Sequence, residues 1–309
     1  MKTVVLKFTV ILFVLAGGIF SCNKEDDNDF SGYESYETQN VRLVKKLTYL
    51  GARMVFERVY TYDNAGNMVK ESLYDCESTK ILLSYTEFEY SNNKKVKESF
   101  WGGIAGNPTL NFYILYFYEG VNVVKEEYYS GFNGELSLYD TRNYEYDEKG
   151  NLVRESWYGY YRGTTISGAG DLKYSYDEQN RLILKEETTA IDVNDSKYIK
   201  HIYDKSGREM KVEYYNINWD LLKYEDKIYK GTSKSPEEEL HYDKNGNQTA
   251  KYQHVYDKWG NLTKTVLNDT WTLLNLKYYG GLLIEETHYQ NSWGSWFETG
   301  MSKYKYEKL

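Results

Sequence analysis

Proline, cysteine and histidine are scarce in this chain of 309 residues, which has two, two and four of them. Only Pro108 and Pro236 interrupt the sequence, which argues against disorder and favours long continuous strands. If Cys22 is modified, Cys76 has no partner for an internal disulfide. The net charge of −8 and the lack of a basic cluster argue against a nucleic-acid partner.

Motifs of catalysis are also missing. The chain has no GxSxG, no P-loop and no GxGxxG, and none of its histidines has the HExxH spacing of a zinc site. Adjacent carboxylates such as Glu126 and Glu127 would point to opposite faces of a strand, so they cannot form a catalytic pair. We therefore expect no enzyme activity, no metal ligands and no cofactor.

Tyrosine is abundant, with 35 residues, and it marks a repeated unit. The clearest copy is Tyr144–Tyr158, YEYDEKGNLVRESWY, whose alternation of aromatic and polar residues predicts a strand. Asp147 and Gly150 suit a type I turn followed by a left-handed glycine, which is a G1 bulge. The unit therefore predicts a β-hairpin.

The tyrosine aligned with Tyr146, here called the anchor tyrosine, recurs with a period of about 28 residues. The anchors are Tyr62, Tyr90, Tyr118, Tyr146, Tyr176, Tyr203, Tyr229, Tyr256, Tyr279 and Tyr306. The left-handed turn slot is assigned to Gly66, Gly150, Asn180, Gly207, Gly246 and Gly260. An extra copy around Tyr242 predicts a short inserted hairpin. Because isolated hairpins are marginal in water, neighbouring copies must pair edge to edge.

The register of the hairpin places Tyr146 opposite Leu152 and Tyr144 opposite Arg154, with Trp157 on the other face. About twenty such strands cannot form one flat sheet, since strands twist by about 20–25° each. We expect an all-β fold, an elongated, twisted antiparallel meander of about ten tandem hairpins forming one domain over residues 41–309. Lysines on its first and last strands would protect the exposed edges.

Residues 1–21 have the features of a signal peptide. Lys2 and Lys7 supply positive charge, and the apolar run Phe8–Phe20 is too short to span a bilayer. The segment ends in Ile-Phe-Ser followed by Cys22, which resembles the lipobox of bacterial lipoproteins and implies that Cys22 is lipidated. Phe20 departs from the small or branched residue usual there, so an ordinary secreted or uncleaved form is the alternative.

Residues 22–40 are interpreted as an acidic flexible tether, because charge runs such as Asn23–Asp29 seldom pack. In some Gram-negative bacteria an acidic stretch after the lipidated cysteine directs a lipoprotein to the cell surface, and both interpretations are compatible. The expected location is the bacterial outer membrane, with a lipid anchor and the protein at the cell surface.

The repeat resembles the YD repeats of RHS-type proteins. The matching copies are YDNAGN from Tyr62, YDEKGN from Tyr146, YDKNGN from Tyr242 and YDKWGN from Tyr256, with looser copies from Tyr176 and Tyr203. RHS proteins wind such repeats into a β-shell that encloses a toxin. This chain is far shorter, has a longer period and lacks the Asp-Pro of self-cleavage, so the resemblance implies a short YD-repeat surface lipoprotein.

Six tryptophans fall at or near the end of a second strand or in the connection that follows: Trp101, Trp157, Trp219, Trp271, Trp293 and Trp296. In a meander these positions share one rim. The residues either cap the sheet ends or form an aromatic rim that stacks on sugars or docks a protein. The first hypothesis is a non-enzymatic surface protein that binds a glycan or protein. The second is a structural spacer, and the third is a toxin-associated RHS-like component.

Overall fold

The computed structural model describes residues 41–131, 135–161, 165–189, 197–269, 271–279, 281–292 and 295–308. The predicted signal peptide, Cys22 and the tether lie outside the described residues. The first ten strands are β1 (Val41–Leu50), β2 (Arg53–Tyr62), β3 (Met68–Asp75), β4 (Ile81–Ser91), β5 (Lys94–Ile104), β6 (Asn107–Glu119), β7 (Asn122–Ser130), β8 (Ser137–Tyr146), β9 (Leu152–Tyr161) and β10 (Thr165–Tyr176). The others are β11 (Leu182–Thr189), β12 (Lys197–Tyr203), β13 (Glu209–Asn216), β14 (Leu221–Ile228), β15 (Glu238–Asp243), β16 (Gln248–Tyr256), β17 (Leu262–Leu267), β18 (Trp271–Tyr279), β19 (Leu282–Ser292) and β20 (Ser295–Lys308).

The sheet closes on itself. Each strand pairs antiparallel with the next along the chain, and β20 also pairs with β1, from Val41 opposite Lys308 to Tyr49 opposite Met301. The fold is a closed antiparallel barrel of twenty strands, so the predicted open, elongated meander is wrong. In the closed barrel the backbone N–H and C=O groups of β1 and β20 form hydrogen bonds with each other. The barrel therefore has none of the unpaired edges that an open sheet would expose.

The turns have the geometry of a type I turn with a G1 bulge. In the β8–β9 turn, Gly150 N donates to Asp147 O at 3.0 Å and Asp147 N donates to Asn151 O at 2.9 Å. The Asp147 carboxylate accepts from the backbone N of Lys149 and Asn151, and from the Asn151 side chain at 2.9 Å. The slot residues have positive φ, 84° at Gly150 and 60° at Asn180.

This bulge changes the register that the sequence suggested. Tyr146 lies opposite Leu152 as predicted, but Tyr144 lies opposite Glu155 rather than Arg154. The bulge leaves Val153 without a partner residue across the ladder and moves every later pair by one position. Trp157 therefore shares a face with Tyr144, contrary to the prediction.

The two ends of the barrel differ in their connections. We call the YD rim the end that carries the turns β2–β3, β8–β9, β10–β11, β12–β13 and β16–β17, and the other end the distal rim. The copy around Tyr242 is not an inserted hairpin: its Asp243–Asn247 turn joins β15 to β16 at the distal rim. The segment from Lys230 to Glu237 joins β14 to β15 at the YD rim, where five other repeats have a YD turn. The YD motif therefore determines the type of turn, and it does not determine at which end of the barrel the turn lies.

The anchor tyrosines line the inner face of the wall. The residue before the anchor is exposed in seven repeats, whereas the anchor itself is half-buried. These exposed residues are Thr61, Glu89, Phe117, Glu145, Ser175, Ile228 and Val255. A curved sheet crowds side chains on its concave side, so the tyrosine face is the inner one. Extensive contacts join only strands that are neighbours in the sheet, apart from β4 with β6. Barrels of 16 or more strands are too wide for their own side chains to fill, so we expect open space inside this barrel of twenty strands.

Hydrogen bonds from the anchor hydroxyls connect successive repeats. Tyr176 donates to the backbone O of Leu152 at 2.8 Å, and Leu152 is the residue opposite the preceding anchor, Tyr146. Nine anchors donate a hydrogen bond to a backbone carbonyl 19 to 24 positions earlier, as Tyr176 does. Each repeat therefore holds the bulged strand of its neighbour.

Candidate functional site: an aromatic turn at the distal rim

The predicted tryptophans have different environments. Trp101 stacks on Tyr85 on the outer face, with ring centroids 5.5 Å apart, and Trp157 lies inside against Gly170. Both are half-buried within the wall. Trp271 begins β18 at the distal rim and is 40% exposed. Trp293 lies outside the described residues, and for Trp296 only the backbone, in β20, is described.

Trp219 lies in the β13–β14 turn at the distal rim, and this turn repeats the YD geometry with different residues. Asn216 N donates to Asp220 O and Trp219 N donates to Asn216 O, both at 3.0 Å. The Asn216 side-chain oxygen accepts from the backbone N of Asn218 and of Asp220 at 2.9 Å, and its amide donates to the Asp220 carboxylate at 3.0 Å. Asn and Asp have exchanged places, and Trp219 occupies the glycine slot.

The slot forces Trp219 into a left-handed backbone conformation, with φ of 62°. This region is uncommon for residues other than glycine and asparagine, and for a bulky residue it is an outlier that costs of order 1–3 kcal/mol. Glycine or asparagine fills the slot at the other YD-type turns, as at Gly150 and Asn180. The turn therefore places the indole of Trp219 at the distal rim, although the backbone conformation that this requires is unfavourable for tryptophan.

Two tyrosines hold the indole in place. Trp219 stacks on Tyr198 with centroids 4.1 Å apart and planes inclined by 13°, and it meets Tyr215 at 5.5 Å and 51°. Tyr198 and Tyr215 are directly opposite each other in β12 and β13. Trp219 nevertheless remains 49% exposed. The three rings form a pre-organised aromatic surface, here called the Trp219 platform.

Polar groups surround the platform. The Tyr215 hydroxyl donates to the Glu213 carboxylate at 2.7 Å, and burial together with this hydrogen bond raises the pKa of Tyr215 to about 12. Lys200 lies opposite Glu213, with Nζ 4.0 Å from its carboxylate. Glu186 of β11 lies opposite Tyr198. Carboxylates and an ammonium thus border the rings on the outer face.

An open groove of about 570 Å³ extends from the platform along β11 and β12. Trp219 lines one end of it, Leu184 and Ile202 contribute apolar surface, and Lys200 lies between them. Leu184 and Lys200 are paired on the outer face, opposite to the anchor tyrosines. His201 and the anchor Tyr203 of the inner face also line the groove, which lies where the pairing of β11 with β12 ends.

The sequence prediction included Trp219 but missed Tyr198, Tyr215 and the turn itself. The amino-acid sequence does contain a signal for this turn. Asn216-Ile-Asn-Trp-Asp220 has the spacing of Asp-x-x-Gly-Asn with the two polar residues exchanged. Tyr198 could not be chosen, because its partner across the sheet depends on a register that the neighbouring bulges determine.

Within the part of the chain that the structure describes, no long apolar helix of membrane-spanning length is present. Among the same residues, no group of three or more His, Cys, Asp or Glu side chains is placed to hold a metal ion.

No protein-family model matches the chain, and no curated protein matches it. Among solved structures, a TcdB2-TccC3 complex without its hypervariable C-terminal region is similar over 80% of this chain, at 11% identity and a TM-score of 0.34. The match covers 15% of that chain, so this protein spans a small part of the toxin chain's length.

A porin-like protein from Bacteroides uniformis matches over 86% of this chain and 96% of its own, at 6% identity and a TM-score of 0.35. A second porin-like protein, from Bacteroides vulgatus, matches over 86% and 99%, at 10% identity and a TM-score of 0.32. The pairing of β1 with β20 is what makes the protein a β-barrel. It has structural similarity to the TcdB2-TccC3 complex and to the two porin-like Bacteroides proteins.

Proposed function

We propose that the protein is a non-enzymatic, lipid-anchored protein of the bacterial cell surface that binds a glycan or a protein through aromatic residues at its distal rim. The observation that carries the proposal is the Trp219 platform, a half-exposed indole held at positive φ and stacked on Tyr198. A strained residue that remains exposed is a candidate for function, because packing alone does not account for its cost.

The direction of the chain supports the role of the distal rim. Val41 lies opposite Lys308 at the YD rim, so the described chain enters the barrel there. A lipid on Cys22 would attach through the tether, whose 19 residues reach at most about 65 Å when extended. The tether then leaves the barrel at the YD rim, and the Trp219 platform is at the opposite end of the barrel from the point of attachment.

The outer face supports attachment by a lipid rather than by insertion of the wall. Membrane barrels carry a continuous apolar band on their lipid-facing side. Here the outer face carries ion pairs between neighbouring strands, such as Lys70 with Glu87 at 3.0 Å and Arg154 with Asp171 at 3.0 Å. Such groups suit a wall that has water on its outer side.

A second candidate is a structural spacer, and the environments of Trp101 and Trp157 favour it. Both indoles are half-buried in the wall, as expected if tryptophan serves to pack the sheet. The two candidate functions make different demands on Trp219. A spacer needs its ring only for packing, whereas a binding protein needs the ring exposed, and the ring of Trp219 is much more exposed than packing requires.

Anchoring and display are tested separately from ligand binding. In cells fed labelled fatty acid, Cys22→Ser should lose the label and move the protein to the soluble fraction. Retention of both label and membrane association would contradict the lipid anchor. Protease added to intact cells should degrade the wild-type protein, and complete protection would exclude surface display.

Ligand binding is tested on glycan and protein arrays with the soluble Cys22→Ser chain. Binding to an array member should fall at least tenfold when Trp219 is changed, because exposed aromatic anchors commonly contribute about 2 kcal/mol or more. If nothing on either array binds, the spacer candidate is favoured instead.

A further inference from the structure

We infer that the Trp219 platform and its groove form a subsite for a neutral saccharide, with the pyranose ring stacked on the indole. The inference rests on the proposed function and narrows it, because it names the ligand class and the residues that recognise it. It is built from three features of the site: the open ring face, the bordering carboxylates and the length of the groove.

The ring geometry suits a flat, amphipathic partner. Tyr198 covers one side of the Trp219 indole at 4.1 Å with nearly parallel planes, while 49% of the residue remains exposed. An aromatic ring offers a negative face to the positive edges of C–H bonds. A pyranose has a face made of C–H groups and a rim of hydroxyls, so it can stack on the indole while its hydroxyls reach the surrounding polar atoms.

The polar border is placed for those hydroxyls. Glu186 lies opposite Tyr198 on one side, and Glu213 lies beside Tyr215 on the other. A carboxylate has two oxygens that accept hydrogen bonds, so it can receive two adjacent sugar hydroxyls. Lys200, opposite Glu213, can donate to a ring or hydroxyl oxygen.

The charges around the platform favour a ligand without net charge. Lys200 and Lys211 each lie 4.0 Å from the Glu213 carboxylate, and Lys211 also lies 3.5 Å from Asp226. With Glu186 included, the carboxylates outnumber the ammonium groups. An acidic polysaccharide or a phosphate would therefore meet no excess of positive charge, and a neutral sugar is the better match.

The groove is long enough for more than one sugar ring. Tyr198, Lys200 and Ile202 alternate along the outer face of β12, and four residues of strand span about 13 Å. Leu184 and Ile202 provide further apolar surface beyond the indole. Affinity should accordingly rise from a monosaccharide to a short oligosaccharide of the same sugar.

The test uses the full chain carrying Cys22→Ser, with and without Trp219→Gly. Glycine suits the positive φ of this slot and removes only the ring, so the fold should be retained with an unchanged or higher melting temperature. The probes are cellohexaose, maltohexaose, xylohexaose, mannohexaose and chitohexaose, titrated by calorimetry. At least one should bind, and Trp219→Gly should weaken it tenfold or more.

The matched control is Trp259→Ala, which removes a 75% exposed tryptophan from a turn at the YD rim. Its affinity for the same hexasaccharide should equal that of the unsubstituted protein. Should Trp219→Gly fail to fold, Trp219→Asn takes its place, because asparagine already occupies this slot at Asn180.

The inference is overturned if none of the hexasaccharides binds at millimolar concentration, or if binding survives both Trp219 substitutions. Its failure is distinct from that of the proposed function. A protein ligand from the array that is lost with Trp219→Gly would end the saccharide assignment and leave the binding rim intact. If the fatty-acid labelling shows that Cys22 carries no lipid, the result of the saccharide titrations is unaffected.

Discussion

The phenolic hydroxyl of Tyr146 donates to the backbone carbonyl of Val123 at 2.9 Å, across 23 positions of sequence. Val123 lies opposite Tyr118, the anchor of the preceding repeat, where the register is bulged. A bulge disrupts the ladder of backbone hydrogen bonds. The anchor tyrosine of one repeat thus bonds to the irregular strand start of another, which explains why tyrosine and not phenylalanine fits this position.

Tyr146→Phe should lower the free energy of unfolding by about 1 kcal/mol, the net value of one hydrogen bond, because the ring is kept and only the hydroxyl is lost. Denaturant unfolding measures the change. Tyr139→Phe is the matched control, since Tyr139 is 55% exposed and should show little effect. An equal loss in both variants would contradict the role of the anchor hydroxyl.

Gly150→Val should destabilise the protein by about 1 kcal/mol or more, because a β-branched residue resists the positive φ of the turn slot. No atom lies within 4 Å of a Cβ placed at Gly150, so the effect isolates backbone conformation from crowding. Gly150→Asn should cost distinctly less. Thermal melts compare the variants, and equal midpoints would be inconsistent with this explanation.

The turn aspartates should make the protein less stable in acid. The hydrogen bond from the Asn151 side chain holds the pKa of Asp147 below its usual value of 3.8. A carboxyl whose pKa is lower in the folded state stabilises it above the unfolded pKa, and this stabilisation is lost as the pH falls below about 3.8. Unfolding free energies between pH 6 and pH 2 should fall less steeply for Asp147→Asn than for wild type. Glu148→Gln in the same turn is the control, and identical slopes for wild type and Asp147→Asn would argue against this linkage.

Gly170→Ala should disturb the inner face, because a Cβ at Gly170 would lie 1.8 Å from Cζ2 of Trp157. The indole must move, and overpacking of this kind typically costs about 1–3 kcal/mol. Near-ultraviolet circular dichroism should report the displaced ring, together with a lower melting temperature. Gly300→Ala is the control, since the nearest atom there is Tyr49 O at 3.4 Å; a silent Gly170→Ala would rule out the packing described here.

The sequence predicts the hairpin unit well because its determinants are local. The Asp147-to-Gly150 turn depends on neighbouring residues alone, and the same holds for the slot at Asn180. The register beyond the turn was wrong by one residue because a single bulged position, Val153, changes every later pair. Local patterns thus specify the turns more reliably than the pairing that follows them.

Closure of the barrel was missed for a different reason. Closure depends on the twist and tilt that accumulate over twenty strands. No single repeat contains a sequence signal for that sum. A partial signal existed at the two ends: Val41–Tyr49 resembles the second half of a hairpin, and the strand around Tyr306 resembles a first half. In the structure these two halves pair with each other as β1 and β20.

Of the three rings in the Trp219 platform, only Trp219 is predicted from the sequence, because the contacts of the other two depend on the pairing of distant strands. Tryptophan at the end of a strand drew attention to the distal rim, and Trp219 lies there. Its stacking partner Tyr198 lies in another hairpin, so only the paired sheet brings the rings together. The cost of positive φ at Trp219 is likewise visible only once the turn is recognised.

The pairing of β1 with β20 also has a kinetic consequence. Nineteen of the strand pairings join consecutive strands and have low contact order, whereas the last joins residues as far apart as Val41 and Lys308. Local pairings form quickly, while distant ones carry the entropy cost of closing a long loop. During synthesis β1 must remain without its second partner until β20 has been made, so the nascent chain exposes an open strand edge for most of its translation. Refolding should accordingly end in a slow, concentration-sensitive step, in which closure within one molecule competes with edge pairing between two.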